Sequence, residues 1–302
     1  MNEATTAFVF PGQGPHAPAM LDEARRAPLF ARHYECLCDV VGEDVAGGVE
    51  RAGQDYLDRN EIASTVTVLC SVLELERLAD QGVRCACAAG YSVGQWTAMH
   101  AAGMTSFETT LRLVFRRAEL MNASPAVRDG AMLAVIGLPN GRVEEICAQV
   151  RGEGEPVAIS NFNCLGQLSL AGSTRGIARA EALLVPCGPR KMTRIGVAGA
   201  WHCELLEPAR KAFLEVLEGV ELLDPIFPVA DNVTGDFLPA APGRLRETLA
   251  AHLSSPVRWD ACVRRLLAEG VEELVEVGYG EMLTKFGFFI ERRRRHRSSR
   301  DV

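Results

Sequence analysis

Five consecutive residues, Gly90-Tyr91-Ser92-Val93-Gly94, decide the fold. They fit the G-x-S-x-G pattern of a nucleophile elbow, in which a serine sits on a sharp turn between a strand and a helix with its oxygen exposed. The segment before them, 83–89, is short, apolar and rich in cysteine and alanine, which suits a buried strand. The segment after them, 95–102, is rich in alanine and ends at Gly103, as a helix with a glycine cap does. The pattern therefore predicts a strand, a tight turn that needs small residues at 90 and 94, and a helix.

The overall composition is that of an ordinary globular protein. The chain has 302 residues, of which 48% are hydrophobic and 24% are charged. No apolar run reaches the roughly 18 residues that a transmembrane helix requires, and the first residues lack the basic and apolar segments of a signal peptide. We therefore expect a cytoplasmic protein with no membrane span, and the length allows one main domain with an insertion or two domains.

Cysteine and charge usage exclude further classes of protein. The ten cysteines are scattered and lack the paired C-x-x-C motifs of a zinc site, so that no metal centre is expected and the thiols are expected to be reduced. The net charge of −7 disfavours binding to nucleic acid. The exception is the end of the chain, where residues 291–302 contain six arginines and two acids. Such a run predicts a solvated, disordered tail, and docking to an acidic partner is the less favoured interpretation.

Strand and helix patterns divide the chain into two parts. Within 129–197 the order is strand, helix, strand, strand, helix, strand, which is that of a ferredoxin-like unit. On either side of it strands alternate with helices, which indicates a mostly parallel sheet covered on both faces. We therefore predict a large α/β domain made of residues 1–128 and 198–302, with residues 129–197 inserted as a small subdomain. The strands predicted for the large domain are 6–10, 83–89, 228–232 and 273–277, and its helices are 19–41, 61–80, 95–102, 107–121, 204–217, 244–253 and 259–269.

A serine hydroxyl is a weak nucleophile and needs a neighbouring base. Among the six histidines, His202 is the candidate because it lies between a predicted strand and a predicted helix, where α/β sheets place their ligands. The base must in turn be held in the right tautomer by a third group. Asp231 and Glu276, at predicted strand ends, and a backbone carbonyl are the alternatives for that third group, and the residues alone do not choose among them.

A site for acyl chemistry also needs donors for the developing oxyanion. The backbone N–H of Val93, directly after the serine, is the first candidate, and the Gly12-Gln13-Gly14 loop after the first strand offers a second. Arg116 and Arg117 lie in an amphipathic helix, so that only one of them can easily face inward. An inward arginine would hold a substrate carboxylate, although the spacing alone favours surface positions for both.

Several motifs follow one another along the chain. They are FPGQG at 10–14, GYSVG at 90–94, Arg117 followed by Leu120-Met121, NFN at 161–163 with GQ at 166–167, Trp201-His202, SPVRW at 255–259 and EVG at 276–278. This ordered set spans about residues 6–290 and resembles the malonyl-CoA:acyl-carrier-protein transacylases and the acyltransferase domains of polyketide synthases. The order is far more specific than any single motif.

The resemblance implies a fold and a catalytic pair. The large domain is expected to be α/β-hydrolase-like, the small one ferredoxin-like, and the active site is expected in the cleft between them. Ser92 and His202 become a dyad, and the second nitrogen of the histidine is held by a backbone carbonyl, which we place in the 256–258 loop.

The resemblance also implies roles for the residues around the dyad. The backbone amides of Gln13 and Val93 become the oxyanion hole. Arg117 becomes the clamp for the carboxylate of a malonyl-type acyl group, which reverses the preference for a surface position. The remaining residues expected to contact substrate are Tyr91, Asn163 and Trp201.

The implied reaction is a ping-pong acyl transfer. The acyl group passes from CoA, or from a carrier protein, to Ser92 and then to the phosphopantetheine thiol of an acyl carrier protein, with no metal or other cofactor. The partners are therefore acyl-CoA and an acyl carrier protein, and we expect a monomer. Arg190, Lys191 and Arg194 on the small subdomain are candidates for docking an acidic carrier.

Three departures from the family pattern suggest a specialised member. Tyr91 stands where the family usually has histidine, and Cys164-Leu165 replaces the usual Ser-Pro. Trp201 stands where malonyl-selective relatives often have phenylalanine and branched-acyl relatives serine. Because a bulky ring crowds an α-substituent, we expect malonyl rather than methylmalonyl and a polyketide or related pathway. The alternatives are the transacylase subunit of a malonate decarboxylase, an acyl hydrolase that clears carrier proteins and, less favoured, a non-catalytic docking subunit.

Overall fold

Two β-sheets of different kinds organise the chain in the computed structural model, which describes residues 5–14, 16–124, 129–196 and 199–302. The first sheet is parallel throughout, and the second is antiparallel throughout. The first contains β1 (Thr6–Phe10), β2 (Cys87–Gly90), β7 (Val229–Ala230), β8 (Glu273–Glu276) and β9 (Arg295–Ser298), in the order β7-β2-β1-β8-β9. The second contains β3 (Gly130–Ile136), β4 (Val157–Cys164), β5 (Gln167–Ser173) and β6 (Lys191–Ile195), in the order β4-β5-β3-β6.

The α-helices of the described residues connect these strands. They are α1 (Ala19–Ala24), α2 (Phe30–Val41), α3 (Val45–Leu57), α4 (Asn60–Asp80), α5 (Gly94–Ala101), α6 (Phe107–Ala123), α7 (Asn140–Gly152), α8 (Thr174–Leu184), α9 (Glu207–Glu218), α10 (Pro242–Ala251), α11 (Trp259–Ala268) and α12 (Met282–Ile290). No helix in the described ranges combines the length and the hydropathy needed to cross a bilayer.

The central strands of the parallel sheet are apolar because both of their faces are covered. Phe8 and Phe10 of β1 belong to the core on one face, and Ala7 and Val9 belong to the core on the other. In the register of the sheet, Phe10 lies opposite Gly90 of β2. The carboxyl ends of β1 and β2 therefore meet where the elbow begins, which confirms the predicted α/β sheet and its strand-to-helix turn.

The antiparallel sheet has the ferredoxin-like topology that the sequence predicts. Counted within the unit, its strands run in the order second, third, first, fourth, and α7 and α8 cover a core of their own. A short parallel bridge joins β4 to the large part of the chain, since Phe162 donates its N–H to Val257 O over 2.9 Å and Val257 donates to Ser160 O over 2.8 Å. The predicted insertion covers residues 129–197. Its two boundaries fall at residues 125–128 and 197–198, which lie outside the described residues.

Some predicted elements are wrong in extent, and others were missed. The single helix expected over 19–41 is two helices, α1 and α2, and α3 and α12 were not predicted at all. Helix α3 contains three glycines and has a kink at Gly53, whose φ is 57°. Glycine weakens the helical pattern in the sequence, whereas burial of Val45, Tyr56 and Leu57 holds the helix in place.

The arginine-rich tail is not a disordered end, and that prediction is wrong. Residues 295–298 form β9, which pairs in parallel with β8 at the edge of the sheet. Arg297 lies 3.4 Å from the carboxylate of Glu273, Arg300 pairs with Glu23, and Ser298 and Ser299 are buried. The prediction failed because it was based on the charge of the segment alone. Charge does not show that a neighbouring strand, β8, offers backbone hydrogen-bonding groups with which the segment can pair.

Candidate active site

The elbow is a backbone arrangement that only glycine permits on either side of Ser92. A Cβ on Gly90 would lie 2.0 Å from the carbonyl carbon of Gly94, and one on Gly94 would lie 2.3 Å from Phe10 O. Such contacts cannot be relieved, because the obstructing atoms are backbone. Ser92 itself has a φ of 51°, a left-handed conformation that a residue with a Cβ adopts at a cost. The turn therefore presents the serine oxygen at the end of β2.

Ser92 and His202 are brought together across 110 positions of sequence, with 2.7 Å between Ser92 Oγ and His202 Nε2. His202 is buried and has a φ of 59°. Within the described ranges, these two are the only non-glycine residues with positive φ. Strained backbone of this kind persists where the surroundings fix it, and it concentrates at active sites.

A backbone carbonyl orients the histidine, but it is not the one expected. His202 Nδ1 lies 2.8 Å from the carbonyl oxygen of His252, whereas the prediction placed the acceptor in the 256–258 loop. That prediction is wrong because carbonyls of this loop accept from other residues: Val257 O accepts from Phe162 N–H over 2.9 Å, and Arg258 O accepts from Cys262 N–H over 3.0 Å. Since a carbonyl only accepts, Nδ1 carries the proton and Nε2 is free to accept from Ser92.

The surroundings keep His202 neutral. The pKa of His202 is lowered to about 3, first by burial and then by the nearby charge of Arg117, while the hydrogen bond to the His252 carbonyl acts in the opposite direction. A neutral imidazole is the form that accepts a proton. The site thus holds a hydroxyl and a base in hydrogen-bonding contact near neutral pH.

The two carboxylates that the sequence left open have different positions. Glu276 accepts hydrogen bonds from the backbone and side chain of Thr284 at the start of α12. Asp231 lies 2.5 Å from Nε2 of His252 and so reaches His202 only through that residue. Neither carboxylate binds His202 directly, and the group that faces its second nitrogen is the backbone carbonyl of His252.

The loop after β1 lies against the elbow. A Cβ on Gly12 would lie 2.6 Å from Tyr91 O and 3.5 Å from Ser92 Cβ. The side chain of Gln13 anchors the loop to α4, since its Nε2 lies 2.7 Å from Asn60 Oδ1. In the described part of the chain, the backbone N–H groups of Gln13 and Val93 have no protein acceptor. Two unbonded donors thus lie beside the serine, as an oxyanion hole requires.

Arg117 and its neighbour Arg116 have opposite environments on α6. Arg116 is exposed and pairs with Glu119 over 3.1 Å. Arg117 is 2% exposed, and no hydrogen bond or ion pair joins its side chain to the described residues. Burial lowers its pKa to about 10, so that it remains a cation at neutral pH. A buried cation without a carboxylate partner is costly unless a ligand supplies one.

The other predicted substrate contacts are less direct. The Tyr91 hydroxyl donates to Asn163 Oδ1 over 2.7 Å, and its ring packs edge-on against Trp259 with centroids 5.6 Å apart. Tyr91 and Asn163 thus bind each other and join the elbow to β4. Trp201 is buried in the large core directly before His202.

The predicted docking residues lie apart from the dyad. Arg190 and Lys191 are exposed at the edge strand β6. Arg194 is on the same strand, but its guanidinium is bound to Glu181 over 2.6 Å. Its charge is therefore largely neutralised by its own subdomain.

A cavity of about 330 Å³ adjoins His202 between β4 and the 202–204 and 254–258 segments. Ile159 and Phe162 of β4 line one side of it, and Pro256 and Arg258 line the other. A second cavity of about 280 Å³ between α1, α4 and the 278–280 loop contains none of the residues of the dyad. No cluster of three metal-binding side chains occurs in the described ranges.

Comparison with known proteins agrees with this geometry. The chain is 30% identical over 279 residues to the malonyl CoA-acyl carrier protein transacylase of Bacillus subtilis, across 92% of this chain and 88% of that protein. The chain belongs to the malonyl-CoA:acyl carrier protein transacylase family. It is therefore an acyltransferase. No protein-family model matches it.

Two further relatives of this transacylase family come from polyketide synthesis. The chain is 34% identical over 284 residues to part of the polyketide biosynthesis protein ThaF of Burkholderia thailandensis, across 92% of this chain and 23% of that protein. It also matches a chain of the solved complex of a type II polyketide-synthase acyl-carrier protein with its malonyl-transacylase. That match has a TM-score of 0.90 and 30% identity and covers 97% of this chain and 94% of the other.

Two residues at the transacylase site were missed from the sequence. Asn232 Oδ1 accepts the backbone N–H of Ser92 over 2.8 Å, and His252 supplies the carbonyl that orients His202. Asn232 lies at the end of the predicted strand 228–232, and that position was a usable signal because α/β proteins place ligands at strand ends. His252 acts through its backbone, which no residue type announces.

Proposed function

We propose that the chain transfers a malonyl group from CoA to the phosphopantetheine thiol of an acyl carrier protein through an ester on Ser92. The observation that carries this proposal is the pairing of two features. One is the hydrogen bond of 2.7 Å between Ser92 and a neutral His202, and the other is the buried Arg117, whose side chain forms no hydrogen bond or ion pair with the residues that the structure describes. The first feature supplies a nucleophile, and the second supplies a counterion for the free carboxylate of malonate.

The first half-reaction forms the acyl-enzyme. Nε2 of His202 takes the proton of the Ser92 hydroxyl as Oγ attacks the thioester carbonyl. The negative charge that develops on the carbonyl oxygen is stabilised by the backbone N–H groups of Gln13 and Val93. The C–S bond then breaks, and the CoA sulfur leaves with the proton held by His202, which returns the imidazole to its neutral form.

The second half-reaction runs the same steps in reverse with a new thiol. His202 takes the proton of the carrier thiol, whose sulfur attacks the ester carbonyl. The C–O bond breaks, and Ser92 regains its proton from His202. Every step is a proton or acyl transfer between groups that the chain and its two substrates supply, so the proposed chemistry uses no metal or redox cofactor.

Selectivity for malonyl rests on Arg117 and Trp201. The guanidinium binds a carboxylate with two parallel hydrogen bonds, and an acetyl group lacks that partner. Trp201 precedes His202 in the chain and is buried, and we propose that its bulky ring disfavours an α-methyl group. We assign the chain to a specialised polyketide or related pathway because Tyr91, Trp201 and Cys164-Leu165 depart from the family pattern together.

The carrier protein is proposed to dock at the exposed edge strand β6. Arg190 and Lys191 are exposed there and form no ion pair with the described part of the chain, whereas Arg194 is already paired with Glu181. The proposal is supported by a relative that was solved in complex with its carrier protein. Charge reversal at Lys191 is expected to raise the KM for the carrier, and an unchanged KM would remove the docking proposal.

The decisive experiment follows the mass of the protein after mixing with malonyl-CoA. We expect a malonyl adduct on Ser92 in the wild-type chain, no adduct in Ser92→Ala, and loss of the adduct when a phosphopantetheinylated carrier is added. The malonyl group must then appear on the carrier thiol. Release of free malonate instead would identify a hydrolase, and absence of any wild-type adduct would overturn the proposal.

A further inference from the structure

Two adjacent residues after β7, Asp231 and Asn232, reach both members of the dyad. Both are buried, with exposures of 0% and 1%. Their side chains run in different directions, one toward the elbow and the other toward the residue that orients His202. The two-step scheme above gives neither residue a role.

Asn232 holds the elbow by three hydrogen bonds. Its Oδ1 accepts the backbone N–H of Ser92 over 2.8 Å, and its Nδ2 donates to Gly90 O over 2.6 Å and to Gln95 Oε1 over 2.9 Å. The amide thus spans the turn from the end of β2 to the start of α5. Because Ser92 has positive φ, a bond to its own N–H opposes relaxation of the strained residue.

Asp231 holds the carbonyl that orients the base. Its Oδ1 lies 2.5 Å from Nε2 of His252, and the carbonyl of the same His252 accepts from His202 Nδ1. The other carboxylate oxygen is fixed by the N–H and the hydroxyl of Thr234, at 2.8 and 2.7 Å. One side chain therefore ties the position of His252, and with it the carbonyl, to the turn after β7.

Backbone hydrogen bonds fix the turn that carries Asp231 and Asn232. Asp231 donates its N–H to Asp236 O over 2.7 Å, Gly235 donates to Asp231 O over 2.9 Å, and Arg258 donates to Asn232 O over 2.8 Å. Each hydrogen bond closes the turn on itself or on the loop before α11. Ser92 and His202 are thus both positioned against one short, fixed segment.

We propose that Asp231 and Asn232 are positioning residues that together set the distance between Ser92 Oγ and His202 Nε2. Asn232 acts on Ser92 directly, and Asp231 acts on His202 through His252. The inference rests on the proposed roles of Ser92 and His202 as the dyad. It assigns to two neighbouring residues a task that neither performs by touching the substrate.

The main test is the steady-state rate of malonyl transfer by the full chain carrying Asp231→Ala. Because misplacement of reacting groups by about 1 Å can cost about a hundredfold, we expect kcat to fall about 10- to 100-fold. The KM for malonyl-CoA should stay unchanged, since Arg117 is untouched. Asp231→Asn should recover most of kcat, because an amide oxygen still accepts from His252.

A control variant separates positioning from the loss of a carboxylate–histidine pair elsewhere in the chain; its carboxylate, Glu76, is 33% exposed, whereas Asp231 is buried. Glu76 binds His33 over 2.7 Å between α4 and α2, a carboxylate–histidine pair with no contact to the dyad. Glu76→Ala should therefore leave kcat within about twofold of the wild-type value, which corresponds to a change of about 0.4 kcal/mol in the activation free energy. Equal losses in Glu76→Ala and Asp231→Ala would overturn the proposal.

The mechanism is tested by combining variants. In a His202→Ala background, Asp231→Ala should cause no further loss in the rate of Ser92 acylation, because residues that act as one unit are not additive. The same fold loss in both backgrounds would contradict the inference. Asn232→Ala provides an independent test if Asp231→Ala does not fold. We expect this variant to lower kcat and to leave KM unchanged. A rise in KM without a loss of kcat would contradict the inference.

Failure of the proposed function gives a different result. If the wild-type chain forms no malonyl ester, the function is wrong, whatever the variants do. If the wild-type chain is acylated and Asp231→Ala and Asn232→Ala are acylated at the same rate, only the positioning role is wrong.

Discussion

The parallel and antiparallel sheets of this transacylase differ in how much backbone strain and buried charge they carry. Near the elbow at the end of the parallel sheet lie two non-glycine residues at positive φ, a neutral buried histidine and a buried arginine for which the described residues provide no ion-pair partner. In the described residues 129–196, positive φ occurs only at glycine, and exposed charges such as Arg194 and Arg179 are paired with acids. Strained backbone and buried charge are therefore concentrated around Ser92 and His202, whereas the antiparallel sheet is held by pairings between strands that are close in sequence.

The largest expected difference between the two sheets is the change in the free energy of unfolding when a glycine is replaced by alanine. Gly94→Ala puts a Cβ 2.3 Å from Phe10 O, and we expect it to lower the free energy of unfolding by about 3 kcal/mol or more, because a buried overlap with backbone has to be relieved by shifting the sheet. Gly141→Ala at the start of α7 meets nothing within 4 Å and should raise the free energy of unfolding by about 0.5 kcal/mol. Urea unfolding of both variants measures these changes, and equal changes in the free energy of unfolding would contradict the expected difference.

The next largest effect is expected on the rate of Ser92 acylation when the buried arginine of α6 is removed. Arg117→Ala should lower acylation of Ser92 by malonyl-CoA about 100-fold, because loss of a buried partner to a charged group costs about 2–5 kcal/mol. Acylation by acetyl-CoA should not fall. Arg116→Ala, one position away on the exposed face of α6, is the control and should change neither rate, since exposed pairs on a helix contribute about 0.5 kcal/mol or less. Parallel loss with both donors would show that Arg117 is structural.

Acid should weaken the large sheet before the small one. Burial lowers the pKa of His202 to about 3 and also lowers the pKa of His100 and His296, whereas residues 129–196 contain no histidine. A histidine whose pKa is lower in the folded state than its unfolded value of about 6.5 costs stability as pH falls through that unfolded value, since only the unfolded chain gains the proton. Glu276, whose pKa is raised by burial, acts in the opposite sense but as one group against three.

Hydrogen exchange at pH 7 and pH 5, corrected for intrinsic exchange rates, measures that effect. Protection of amides in β1, β2 and β8 should decrease at the lower pH, while amides of β3 and β5 keep theirs. A uniform decrease across both sheets would mean that the chain unfolds as one unit and would remove the distinction.

Much of the fold was predictable because its signals are local. The elbow requires glycine at two positions that are four residues apart, and the subdomain alternates strands and helices in an order that has a known topology. The predictions failed where stability comes from contacts distant in sequence. Helix α3 is held by buried residues despite its glycines, and β9 is held by pairing with β8 despite its arginines.

The sequence by itself determined the chemistry that the chain offers. A serine in an elbow, a histidine after a strand and an arginine in an amphipathic helix are properties of residue type and spacing, and their order along the chain identified the family. How these groups are held follows from the folded chain. The contacts of the His252 carbonyl and the Asn232 amide join residues that are 50 and 140 positions apart. No residue type indicates such contacts, or the inward orientation of Arg117, because they depend on which backbone segments and which helix faces pack together.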